Sequence, residues 1–123
     1  MAKKKILIVE DEPEIVKVVT IRLEYQGYEV INARDATQGL TFAQWKKPDL
    51  IILDVSMPVA DGFSVCESLK SSELTASIPV IFLTAKDRPE DEKRAYELGA
   101  KAYIKKPYEA SVLLDEIKKA LEA

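Results

Sequence analysis

Apolar residues in this chain arrive in short unbroken runs that alternate with helically spaced stripes. Leu50-Ile51-Ile52-Leu53 is the densest run, and it ends directly in Asp54. Four aliphatic residues with no polar alternation predict a strand covered on both faces, as in a parallel sheet. Lys5 to Val9 is a second such strand, and it runs into Glu10 and Asp11. Pro13 then suits the first turn of a helix, striped by Ile15, Val19 and Leu23 and stopped at Gly27. Tyr28 to Asn32 predicts a short strand. Asp35 and Gln38 form a capping-box pattern opening a helix through Leu40, Ala43 and Trp45 that Pro48 terminates. Beyond Asp54, the turn Met57 to Gly62 leads to a helix carrying Phe63, Cys66 and Leu69, and a polar loop, Ser71 to Ser77, reaches strand Pro79 to Leu83, which ends at Thr84. Asp87 to Leu98 reads as a helix closed by Gly99, Ala102 to Ile104 as a last strand leading to Lys105-Lys106-Pro107, and Val112, Leu113, Ile117 and Leu121 stripe a final helix.

Five strands alternating with five helices predict an α/β fold with helices on both faces of a parallel sheet. The helix from Asp87 has an unusually thin stripe, little more than Ala95, Tyr96 and Leu98. It is expected to be the least firmly packed helix and the element most able to shift. Amide hydrogen exchange checks this: its amides should exchange before those of the other helices, and stronger protection there than elsewhere overturns it.

Bulk properties narrow the picture further. A length of 123 residues fits a single domain spanning 1–123 with one real core. A net charge of −3, with both signs interspersed, gives no reason to expect direct nucleic-acid contact or adsorption to an anionic membrane. Lys3-Lys4-Lys5 precedes an apolar run too short for a signal peptide, and no run approaches a membrane span, so a cytoplasmic location is expected. The lone Cys66 excludes an internal disulfide and reads as a small buried hydrophobe on the Phe63–Leu69 stripe. The chain has no histidine, which removes His-based metal sites, triads and proton shuttles.

Ligands of open parallel sheets bind beyond the carboxyl ends of the strands. That edge is expected to gather Glu10, Asp11 and Asp54, then Thr84, then Lys106. A single Asp at a strand end is more often an ordinary helix cap, and an isolated Thr or Lys means less still. The joint placement is different, because clustered acids oppose burial unless they are paired or metal-bound. Oxygen donors without His or a second Cys suit Mg²⁺ rather than zinc. Thr84 and Lys106 suit phosphoryl oxygens, and Asp54 can act as a carboxylate nucleophile on phosphorus.

With these residues in place, the chain closely resembles the receiver domain of bacterial response regulators along essentially its entire length. The resemblance is carried by Ile6-Leu7-Ile8-Val9-Glu10-Asp11-Glu12, by Leu53-Asp54-Val55-Ser56-Met57-Pro58 with Asp61-Gly62, by Leu83-Thr84-Ala85, and by Tyr103-Ile104-Lys105-Lys106-Pro107. It implies the flavodoxin-like doubly wound sheet with strand order 2-1-3-4-5. It further implies that Asp54 accepts a phosphoryl group from a phosphohistidine on a histidine kinase or histidine phosphotransfer protein. Asp11 would ligate Mg²⁺ directly, Glu10 through water and Ser56 through its backbone carbonyl, while Lys106 contacts the acyl phosphate and precedes a cis bond to Pro107. Thr84 and Tyr103 would act as switch residues biasing a surface built from the fourth helix, fifth strand and fifth helix towards a downstream protein target.

Some positions depart from the common pattern. Glu10 replaces the Asp of many members. Ser56 and Lys86 occupy positions that tune acyl-phosphate lifetime in the family. Lys101 and Ala102 stand where the DNA-binding subfamily often has two acids supporting dimer contacts, which argues for a monomer over a phosphorylation-dependent dimer made through this face. An ending just beyond the last helix fits both a free-standing regulator and a receiver cut from a longer one. Two other functions use similar parts. A haloacid-dehalogenase-like phosphatase needs a second Asp two residues after the nucleophile, where this chain has Ser56, and usually a cap domain. A flavin-binding electron carrier needs a phosphate-binding loop after the first strand, where this chain has Glu10, Asp11 and Glu12.

Overall fold

Aliphatic strands that cannot face water on either side force the helices to cover both faces of one sheet. The computed structural model, which describes residues 3–57 and 61–122, has this arrangement. Its elements are β1 (Lys5–Val9), α1 (Pro13–Tyr25), β2 (Glu29–Ala33), α2 (Ala36–Lys46), β3 (Leu50–Leu53), α3 (Gly62–Ser71), β4 (Val80–Thr84), α4 (Pro89–Glu97), β5 (Ala102–Lys105) and α5 (Ala110–Glu122). All neighbouring strands pair in parallel, in the order β2-β1-β3-β4-β5. This is the doubly wound fold expected above. Residues 58–60, and with them Pro58 and the middle of the expected Met57 to Gly62 turn, lie outside the described residues.

Alternate residues of each strand feed two separate cores. Leu7, Val9, Ile51, Leu53 and Phe82 pack with Ala43 of α2 and Phe63, Cys66 and Leu69 of α3. Ile6, Ile8, Leu50, Ile52 and Ile81 pack on the other face with Val19 and Leu23 of α1 and Leu113 and Ile117 of α5. The helix α4 buries only Asp91 and Ala95, in keeping with its thin stripe. Trp45 and Val112, placed on helical stripes above, instead face solvent, 78% and 46% exposed.

Several boundaries differ from the expected ones by a residue or two, each for a local reason. The strand β2 begins at Glu29 rather than Tyr28, because the Tyr28 N–H is already committed to the Leu23 carbonyl (3.1 Å) in the helix-ending turn through Gly27 at φ 92°. β4 begins after Pro79, which has no N–H, and extends through Thr84. α4 starts at Pro89 rather than Asp87, since the residue before a proline is pushed out of the helical region and Arg88 sits at φ −74°, ψ 140°. At α2 the Asp35 side chain accepts from the Gln38 N–H (2.8 Å) as a cap should, but Gln38 Oε1 reaches past it to the Arg34 N–H (2.8 Å).

Candidate functional site

Sheet register alone brings the acids together. Val9 pairs with Leu53, so Glu10 and Asp54 each stand one residue beyond a paired position on adjacent strands, and the Asp54 N–H still donates to the Val9 carbonyl (3.4 Å). Thr84 pairs with Lys105, and the Lys106 N–H donates to the Thr84 carbonyl (2.8 Å), which delivers the Lys106 side chain to the same edge. The Lys106-Pro107 bond is cis.

One carboxylate oxygen from each of Glu10, Asp11 and Asp54 lies within 4.8 Å of the other two. Glu10 and Asp54 are buried, 3% and 5% exposed, whereas Asp11 reaches solvent. Lys106 Nζ sits 3.0 Å from Glu10 Oε1 and 3.5 Å from Asp54 Oδ2. Glu10 Oε2 accepts from the Glu12 N–H (3.2 Å), and Asp54 Oδ1 accepts from the Ser56 N–H (3.1 Å). Both carboxylates are therefore fixed in orientation.

Burial pushes the Glu10 carboxyl up to about 7, with the Asp54 charge adding to the rise and the Lys106 hydrogen bond opposing it. Burial alone would pull Lys106 down, but its hydrogen bond to Glu10 and the charges of Asp54 and Glu10 outweigh that and raise it. The lysine is held firmly as a cation, and its positive charge falls short of what the acids require. With all three carboxyls ionised, the state a bound cation favours, one ammonium leaves a deficit of two positive charges. A hard divalent cation matches that deficit in charge, and an all-oxygen donor set matches Mg²⁺ in kind.

Among the described residues, Thr84 and Tyr103 make no hydrogen bond to these acids; both hold Lys86. Thr84 Oγ1, fully buried, accepts from the Lys86 N–H (3.3 Å), and the Tyr103 hydroxyl donates to the Lys86 carbonyl (2.9 Å). The Tyr103 ring is buried beside Phe82, with centroids 6.0 Å apart. Burial, then the nearby Asp91 and Glu92 charges, pushes its phenol up to about 12, so it remains a donor throughout the neutral range. Residue order placed Glu10, Asp11, Asp54, Thr84 and Lys106 on one edge, and the family resemblance added Ser56 and Tyr103; neither revealed the direct pairing of Lys106 with two acids, or Lys86 as the shared anchor of Thr84 and Tyr103.

Above the acids opens a cavity of about 570 Å³ lined by Asp11, Ser56, Asp61, Lys86, Arg88 and Arg94, among others. The chemistry of the edge is thus a buried carboxylate with one lysine beside it, beneath a cleft large enough for a phosphoryl donor.

A buried acid trio with a lysine, at the carboxyl edge of a 2-1-3-4-5 sheet, defines a class that comparison with known proteins makes specific. Residues 6–118 match the model of the response regulator receiver domain. This chain belongs to that family. It is 40% identical over 95% of its length to the DNA-binding dual master transcriptional regulator RpaA of Synechocystis and 46% identical over 85% to the alkaline phosphatase synthesis transcriptional regulatory protein PhoP of Bacillus subtilis. The matches cover 48% and 43% of those two proteins, so the chain spans about half the length of the curated relatives it matches. Among solved structures, a putative response regulator from Chloroflexus aurantiacus superposes with a TM-score of 0.94 at 30% identity, covering 99% of this chain and 100% of that one. Among the described residues, no helix is long and apolar enough to cross a membrane.

Proposed function

We propose that this chain is a phosphorylation-operated switch in which Asp54 takes a phosphoryl group from a phosphohistidine on a histidine kinase or phosphotransfer protein. The observation that carries the proposal is the setting of Asp54: a buried carboxylate aligned by the Ser56 N–H, with Lys106 beside its second oxygen and the Glu10 and Asp11 carboxylates next to it. Glu10, Asp11, Asp54 and the Ser56 backbone carbonyl would hold Mg²⁺ here, Glu10 through water. When bound, the ion offsets the acid charge and leaves positions open to phosphoryl oxygens.

An Asp54 oxygen attacks phosphorus, the phosphorus–nitrogen bond of the donor breaks, and the imidazole leaves. Lys106 offsets charge on the transferred group. The Thr84 hydroxyl turns towards the new phosphoryl oxygens and gives up the Lys86 N–H, which loosens the loop that Tyr103 also holds. Tyr103 and the thinly packed α4 then shift, and the surface of α4, β5 and α5 changes its affinity for a downstream protein target. The chain catalyses only its own phosphorylation and dephosphorylation.

Intact mass after incubation with a small phosphodonor and Mg²⁺ tests the assignment. The parent should gain one phosphoryl group, acid-stable and base-labile, that EDTA prevents; Asp54→Ala and Asp54→Asn should gain none. Phosphorylation of both variants sinks the role of Asp54.

A further inference from the structure

The cavity above Asp54 carries cations that the reaction as described does not use. Its wall from the β4–α4 loop and α4 presents Lys86, Arg88 and Arg94, facing Asp11, Glu12 and Asp61. Arg94 is occupied, its guanidinium lying 4.6 Å from the centroid of the Phe63 ring. Arg88 is held differently. Nε and Nη2 donate to the two oxygens of Asp91, at 3.2 and 3.3 Å, in a two-pronged pair that spans the first turn of α4. The Arg88 side chain is 69% exposed, while that of Asp91 is only 10% exposed. Asp91 is fixed inside the fold, so the arm that can move is Arg88.

The same cleft is lined by four acids, Asp11, Glu12, Asp61 and Asp91, whose charge opposes an anionic donor. We propose that Arg88 is the donor-recruiting cation of the cleft, released from Asp91 to pair with the phosphoryl group of an incoming small acyl phosphate, with Asp91 acting as the latch that limits this. The inference rests on the phosphoacceptor reading of Asp54. The transfer it assists is balanced: an Asp54 oxygen forms a bond to phosphorus, the donor's bond between phosphorus and the acyl oxygen breaks, and the carboxylate of the acid leaves with the electron pair. Arg88 contributes a bidentate, permanently charged fork of the kind that fits phosphoryl oxygens. An exposed cation of this kind acts on encounter and binding, and salt weakens its effect.

Phosphorylation rates with acetyl phosphate and Mg²⁺, measured across donor concentration at low and high salt, test this. Arg88→Gln should raise the apparent KM about threefold or more at low salt, leave the saturating rate within about twofold, and flatten the salt dependence. Arg88→Lys should recover part of the loss. Asp91→Asn, which opens the latch but keeps the shape, should lower KM below that of the parent. An unchanged KM in Arg88→Gln, or a KM in Asp91→Asn equal to or above the parent's, overturns the proposal. If the parent itself is not phosphorylated on Asp54, the reading of the site fails instead, and circular dichroism of the three variants separates a loss of α4 from a loss of donor binding.

Discussion

Gly62→Ala will destabilise the fold by about 3 kcal/mol or more in urea unfolding and will disorganise the site, although the glycine lies outside it. Gly62 opens α3, and its N–H donates to the Val55 carbonyl (2.8 Å), so the first turn of the helix is pressed against the backbone that leaves β3. A Cβ at this position would contact the Asp54 carbonyl oxygen within bonding range, lie 2.8 Å from the Asp54 carbonyl carbon and come 3.0 Å from Val55 Cα. These are main-chain atoms just past the last β1–β3 pair, Val9 with Leu53, held there by the Asp54 N–H to the Val9 carbonyl (3.4 Å), and no rotamer change can move them away. The chain would have to separate α3 from the Asp54–Val55 peptide, which misaligns Asp54 and the Ser56 N–H that orients it. Gly39 is the natural control. A Cβ there meets the Val9 side-chain methyls at 3.0 Å, which can yield, and alanine improves helix propensity by about 1 kcal/mol, so Gly39→Ala should fall within about 1 kcal/mol of the parent. Equal stability of the two variants would refute the distinction between backbone and side-chain obstacles.

The contrast between these glycines shows what could and could not be read in the linear chain. Uninterrupted runs such as Leu50–Leu53 exist because both faces of the strand are covered, and that physical cause makes the parallel sheet readable from residue order alone. Because both runs end in acids at the carboxyl ends of neighbouring strands, the gathering of Glu10, Asp11 and Asp54 on one edge is readable there too. What residue order did not reveal were contacts set by distant partners. Lys106 meets Glu10 from 96 positions away, and nothing local to either residue signals that the lysine already serves as a counter-ion. The closeness of Gly62 to Asp54 is likewise a tertiary matter. The Arg88–Asp91 pair was legible in principle, being three residues apart at a helix start after a proline-directed boundary, but reading the helix from Asp87 placed Arg88 inside it and hid its role at the end.

Lys106→Ala will show how far the acids depend on that counter-ion, and the size of the effect will change with pH and with magnesium. In the parent, Nζ lies 3.0 Å from Glu10 and 3.5 Å from Asp54, and all three side chains are at most 16% exposed. Removing one partner of a buried ion pair leaves an uncompensated charge, which costs more than the pair contributed. With water admitted by the truncation, a loss of about 2–3 kcal/mol is expected in EDTA at pH 8. The sign of the pH dependence follows from Glu10, whose carboxyl is raised by burial from 4.5 to about 7. Between those values the folded chain holds a proton that the unfolded chain lacks, so metal-free stability rises as pH falls through 7 towards 4.5. Deleting the lysine removes an influence that lowers Glu10, which moves the upper end of this window higher still. Denaturant midpoints of parent and variant should therefore differ most at pH 8 and converge towards pH 6, where Glu10 protonates instead of standing unpaired. Saturating Mg²⁺ at pH 8 should narrow the gap in the same way, since it replaces the missing positive charge and stabilises whichever chain binds it more tightly. A gap that stays constant with pH and is indifferent to magnesium would mean that Lys106 acts through packing of its stem rather than through the charge it brings to Glu10 and Asp54.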